Sequence, residues 1–262
     1  MLRSFISGFT TDPLGSILTI CYTLPAILLA IVLHEWAHGY VAYRSGDPTA
    51  KMLGRLSLNP LKHIDPYGAL LMLVVGFGWA KPVPINPRNF NNPKRDHLMV
   101  ALAGIVMNLT LFILSTFIIV VLNAFIFDLK LLEMMGIKAS WLVRSDYSYF
   151  WGIYMGNFAA FEASARIPFL MYVQRFFVIF SVMNLGLALF NFLPVPPLDG
   201  YHILNDVVFK GRLYLTPQMS QMLYFGMIAL LLFTDVITGL LGVCRNFLQT
   251  NTAQFFSLFF GG

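Results

Sequence analysis

Long apolar runs alternate along the chain with short polar intervals rich in proline and glycine, and that alternation predicts most of the architecture. Four runs, about 17–43, 98–127, 169–193 and 222–243, carry few charges. Each approximates or exceeds the ~20 residues a helix needs to cross a ~30 Å hydrocarbon core. Pro25 falls inside the first run, is tolerable in a bilayer, and predicts a kink ahead of His34. A further run from Gly68 to Trp79 is apolar but too short to span. Flanked by Gly and Pro, it reads as a hairpin or re-entrant element that folds into the membrane. Its backbone must pair inside the protein, as an edge offered to another peptide or as a plain structural hairpin. The aromatic interval 128–168 and the tail from Phe247 to Phe260 predict interfacial segments. The expected fold is an all-α polytopic membrane protein, one domain over residues 1–262. It has about four spanning helices, a short membrane-embedded β-hairpin or re-entrant segment, and interfacial helices.

Composition agrees. Of 262 residues, 58% are hydrophobic and 11% charged, against roughly 25% charged in soluble domains. The net charge of +5 is read as topology. Arg44, Lys51, Arg55, Lys62, Lys81, Arg88, Lys94 and Arg95 crowd one loop, and the positive-inside rule puts it in the cytoplasm. The N-terminus, the 128–168 loop and the C-terminus then lie outside, and 194–221 inside. No basic run interleaves with aromatics and no Gly-rich phosphate loop occurs, so nucleic acid is not an expected partner. Cys21 and Cys244 form no C-x-x-C pair, which excludes a zinc ribbon, an iron–sulfur site or a disulfide framework. The N-terminus lacks the pattern of a cleaved signal peptide.

Chemistry enters at the end of the first apolar run, in His34-Glu35-Trp36-Ala37-His38. H-E-x-x-H on a helix sets two imidazoles one turn apart on one face with a carboxylate beside them. Such groups in lipid are costly unless paired or bound to a metal, and zinc is the simplest answer. Catalytic zinc usually takes three protein ligands. The best third candidate is Asp199 in the run Asn191 to Gly200, where Pro194, Pro196 and Pro197 break the helix and Gly200 permits a tight turn. Two crossings separate the motifs, so both reach the same side of the membrane. From Ile17 to His34 is roughly 25 Å of helix at 1.5 Å per residue, late in the crossing. His63, His97 and His202 read as structural or surface residues, with His202 the spare ligand candidate. Asn108 and Asn191 are either interhelical glue or groups that hold the substrate backbone or the developing oxyanion.

Taken together, these motifs resemble the site-2 protease family of intramembrane zinc metallopeptidases. His34, Glu35 and His38, followed by Gly39, match its H-E-x-x-H helix, and Asn191 to Gly200 matches its N-x-x-P-x-P-x-L-D-G motif. Gly76-Phe77-Gly78-Trp79 and the residues to Pro84 resemble its membrane-embedded strand region. Ala103 to Asn108 resembles its G-P-x-x-N element, with Ile105 in place of the usual Pro. The likeness runs from about residue 30 to 205, and no PDZ or CBS domain is visible. It implies a three-helix core and one Zn2+ per chain, held by His34, His38 and Asp199. It also implies a membrane-spanning substrate, such as a regulator or anti-sigma factor precursor, or a signal-peptide remnant. The expected function is a zinc-dependent intramembrane endopeptidase with Glu35 as general base. Gly76, Phe77, Gly78 and Trp79 would dock the unwound substrate as a strand. The expected location is a bacterial or archaeal cell membrane, with the active site toward the cytoplasm. A metal-binding membrane transporter and a non-catalytic scaffold are the competing readings.

Overall fold

A computed structural model describes residues 10–68, 80–128, 134, 142, 148–233 and 236–258. Helix α1 (Pro13–Arg44) begins where Asp12 accepts a hydrogen bond from the Gly15 N–H at 2.9 Å and Pro13 fills the first helical position. It ends at Ser45 and Gly46, whose φ of +104° suits glycine and turns the chain out of the helix. Helix α2 (Pro93–Ile126) starts before the apolar run expected from 98. Its first turn, Lys94 to His97, is polar and therefore silent in hydropathy, while Pro93 and the Asp96 carboxylate, which accepts from Asn92 N–H at 2.7 Å, secure the start. The remaining longer helices are α3 (Ser148–Met155), α4 (Phe169–Asn191), α5 (Asp199–Val207), α6 (Pro217–Phe233) and α7 (Val236–Ser257).

Among the described residues, three helices are long and apolar enough to cross a membrane: α1, α2 and α4. They pack on one another pairwise, α2 against α4 most extensively. The run 222–243, expected as a fourth span, is divided between α6 and α7, with 234–235 outside the described residues. The tail from Phe247, expected as a short interfacial helix, continues α7, which packs on α2 and α4. Ala253 is fully buried there, and Phe256 meets the Phe117 ring edge-on at 5.3 Å. Helix α3, expected near the membrane surface, buries Phe150 and Ile153 in a cluster with Ile119, Ile126, Met171 and Val178.

In lipid such packing gains little from the hydrophobic effect. Close van der Waals contact and interhelical hydrogen bonds hold the helices together. Here Tyr149 Oη donates to Gln174 Oε1 and Gln174 Nε2 donates to Asn123 Oδ1, each at 2.7 Å. Thr116 and Ser181 hydroxyls pair at 3.1 Å across α2 and α4. Among the described residues the regular elements are helices, with no strand beyond isolated bridges. An isolated antiparallel bridge joins Ile64 to Ala80, with Lys81 N–H donating to His63 O at 2.9 Å. Residues 69–79, including Gly76, Phe77, Gly78 and Trp79, lie outside the described residues.

Candidate metal centre and active cleft

The last third of α1 carries the H-E-x-x-H sequence, and its two imidazoles are fixed by α2. His38 Nδ1 donates to Val100 O at 2.7 Å; a carbonyl only accepts, so this nitrogen carries the proton. For His34 the direction follows from a longer chain. Asn184 Nδ2 donates to Phe180 O at 2.8 Å, which leaves Asn184 Oδ1 to accept from Asn108 Nδ2, also at 2.8 Å. Asn108 Oδ1 must then accept from His34 Nδ1 at 2.5 Å. When the two imidazoles are neutral, both Nε2 atoms are therefore lone pairs, the state in which histidine ligates metals.

Those lone pairs converge. The two Nε2 atoms are 3.0 Å apart, and Asp199 Oδ2 lies 3.3 Å from each. Asp199 Oδ2 is buried and makes no hydrogen bond. Three lone pairs facing one another repel unless a cation or a shared proton sits among them. A tetrahedral zinc ion with bonds of ~2.0–2.1 Å spaces its ligand atoms by roughly 3.3 Å, which is the triangle found here. The donor set fits zinc. Among the described residues, these three are the group of His, Cys, Asp and Glu side chains close enough to share an ion.

Two glycines make this approach feasible. A Cβ on Gly104 of α2 would collide with both imidazoles, so glycine there lets α2 lie directly against the motif. A Cβ on Gly200 would strike the Phe192 and Leu193 carbonyl oxygens at the end of α4, so α5 can fold back at once and present Asp199.

Glu35 stands outside the donor cluster. It lines the same cleft, of about 390 Å³, and its Oε2 accepts from the Val83 N–H at 2.8 Å. The extended segment around Val83 forms the facing wall. That wall is held by Asp47, fully buried, which accepts from Asn86 N–H at 2.7 Å, from Asn89 Nδ2 at 2.8 Å and from Thr49. Burial would raise the Asp47 pKa, but these hydrogen bonds outweigh it and hold the carboxyl below its usual value.

The two asparagines part company. Asn108, a candidate for positioning substrate, is fully buried and spends both ends of its amide on His34 and Asn184. Asn191, the last residue of α4, lines the cleft and donates to Leu187 O at 3.1 Å. His63 is buried and donates from Nε2 to Ser57 O at 2.7 Å, away from the cluster. His202, the spare ligand, sits one turn beyond Asp199, lines the cleft, and is not in the donor group. Burial, then the imidazole of His97, pushes its pKa below the ordinary histidine value. Sequence reasoning missed Asp47, Asn184 and the pairing of His97 with Asp206. An amide in an apolar helix flags Asn184, and an acid following the glycine that ends α1 is the faint signal for Asp47.

The chain belongs to a known class of membrane enzymes, peptidase family M50, whose model matches residues 22–234. It is accordingly a zinc-dependent intramembrane protease acting on membrane-protein substrates. Its sequence is 38% identical over 210 residues to the Bacillus subtilis protein named "Putative zinc metalloprotease YwhC", covering 80% of this chain and 78% of that one. It is 26% identical over 208 residues to "Putative zinc metalloprotease Rip2" of Mycolicibacterium smegmatis, covering 77% and 63% of the two chains. The likeness to the Rip2 protein of Mycobacterium tuberculosis is 22% over 278 residues, covering 98% and 89%. No solved structure matches the chain.

Proposed function

We propose that the chain hydrolyses a peptide bond in an unwound part of a transmembrane segment, with His34, His38 and Asp199 holding one zinc ion and Glu35 acting as general base. The convergence of three acceptor atoms within 3.0–3.3 Å carries this reading. Zinc, when bound, acidifies water and polarises the scissile carbonyl. Glu35 Oε2 is occupied by Val83 N–H, which orients the carboxylate and leaves Oε1 to take the proton of the attacking water. The water oxygen joins the carbonyl carbon, the C–N bond breaks, and Glu35 returns the proton to the departing amine. Asn108 orients His34, and Asn191 at the cleft is the asparagine left to meet substrate.

A peptide bond in a membrane helix is shielded by its own i→i−4 hydrogen bonds, so the segment must unwind and its freed N–H and C=O groups must be paired. We assign that role to Gly76, Phe77, Gly78 and Trp79, which in sequence shortly precede the cleft-wall segment around Val83. The concentration of Lys and Arg between Arg44 and Arg95 supports a cytoplasmic position for the active site. We read the run 222–243 as membrane-embedded and the whole as one peptidase domain. Substrates are transmembrane proteins or signal-peptide remnants. Reconstitution with a transmembrane substrate tests the proposal. Chelation is expected to stop cleavage and zinc to restore it, and Gly or Pro in the scissile region to speed it relative to Leu. Cleavage indifferent to both would contradict it.

A further inference from the structure

The cleft holds two imidazoles that this chemistry does not use. Helix α5 carries Asp199, His202 and Asp206 at spacings of three and four residues, one face of a helix, and it packs against α2, which supplies His97. His97 Nδ1 donates to Asp206 Oδ2 at 2.6 Å, a carboxylate contact that fixes the ring's tautomer and plane. The His202 ring lies edge-on to His97 at 5.4 Å and 74°, and edge-on to Tyr201 at 5.4 Å and 69°. The contact with His97 ties the His202 ring to α2 across the helix pair. Yet among the described residues neither of its ring nitrogens has a hydrogen-bond partner. Both His97 and His202 line the cleft that contains Glu35 and the candidate ligands.

A half-buried imidazole that lines the cleft without a protein partner at either ring nitrogen can give both to an incoming ligand. The ligand that enters this cleft is a peptide whose main-chain groups have lost their helical partners. A neutral imidazole offers that peptide one donor and one acceptor, and burial favours the neutral form here. We propose that His202 hydrogen-bonds the main chain of the substrate beside the scissile bond, and that the His97–Asp206 pair positions it. This rests on the reading of the cleft as a protease site. His202 would then be indifferent to substrate side chains, and its contribution would be the same across substrates that unwind equally.

The experiment compares wild type with Glu35→Gln, His202→Ala, His202→Gln, Asp206→Asn and the His202→Ala/Asp206→Asn double variant, each reconstituted with one transmembrane substrate. Zinc content and kcat/KM are measured for all. His202→Ala is expected to keep its zinc and lose about tenfold in kcat/KM, the value of one buried hydrogen bond. His202→Gln, which retains a donor and an acceptor, is expected to recover part of that loss. Asp206→Asn is expected to lose less than His202→Ala, and nothing further in the His202→Ala background, because it acts through His202. Turnover by Glu35→Gln equal to wild type would overturn the protease reading and the inference with it. A dead Glu35→Gln beside a fully active His202→Ala would overturn the inference alone. So would loss of zinc in both His202 variants, or an Asp206→Asn effect that adds to that of His202→Ala.

Discussion

The two ends of the helix bundle both bury polar side chains, but they arrange them differently. At the end where α3 and α7 meet α2 and α4, donors face acceptors: Tyr149 gives to Gln174, and Gln174 gives to Asn123. At the end where α1 and α5 meet α2, His34, His38 and Asp199 bring acceptor to acceptor. The first pattern pairs donor with acceptor and binds helices together, although Asn123 Nδ2 is left without a partner. The second is costly as it stands and is explained by a cation. In a bilayer, then, a buried polar residue is not by itself a functional signal. What separates glue from a site is whether the partners complement or duplicate one another.

That contrast can be sharpened by substitution at each end. The largest effect is expected for Glu35→Gln, which keeps the side-chain shape and the metal ligands but removes the carboxylate charge and with it the base. Cleavage of a transmembrane substrate should fall by at least roughly 100-fold with zinc retained, and robust turnover by the purified variant would refute the assignment. Next comes Asn108→Ala, which removes the acceptor of His34 Nδ1. Partners of metal-bound histidines are worth about 10–100-fold in metal affinity, measurable by competition with a chromophoric chelator. An unchanged affinity would mean that the Asn184–Asn108–His34 chain does no orienting. At the other end, Gln174→Leu should lower stability in detergent by about 0.5–2 kcal/mol while leaving turnover per zinc-loaded molecule intact. A loss of turnover there would erase the distinction between the two ends.

The smallest effect concerns Asp47. Its folded pKa lies below the unfolded value of about 3.9. Its hydrogen bonds therefore stabilise the fold fully above that value, and the contribution is lost as pH falls through the lowered folded pKa. Wild type should lose melting temperature on acidification below about pH 4 more steeply than Asp47→Asn. Parallel curves would show that Asp47 does not set the acid limb.

How much of this was legible in the chain depends on whether the signal is local. α1, α2 and α4 announce themselves because a spanning helix needs a long apolar run, and the H-E-x-x-H pair is written within one turn. Asp199 could be placed by counting crossings between two motifs, and the structure sets it beside both histidines. The start of α2 at Pro93 was not legible, since its first turn is polar and stands apart from the apolar run. The burial of α3 and the seating of α7 depend on which surfaces meet, which hydropathy does not encode. The hydrogen bonds from Asp47 to Asn86 and Asn89, and from His97 to Asp206, join residues 39 to 109 positions apart in sequence. Asn108 shows the limit most clearly: its sequence context allowed either glue or substrate contact, and only its neighbours reveal an amide committed to His34 and Asn184.

The proposed protease chemistry depends on one zinc ion held jointly by His34, His38 and Asp199. That ligand set is tested most directly by metal analysis of purified wild type, Asp199→Ala and His202→Ala. About one zinc per chain is expected in wild type and in His202→Ala, and a sharp drop in Asp199→Ala, because Ala replaces neither the bond nor the charge of the carboxylate. Full zinc retention by Asp199→Ala would contradict that ligand set.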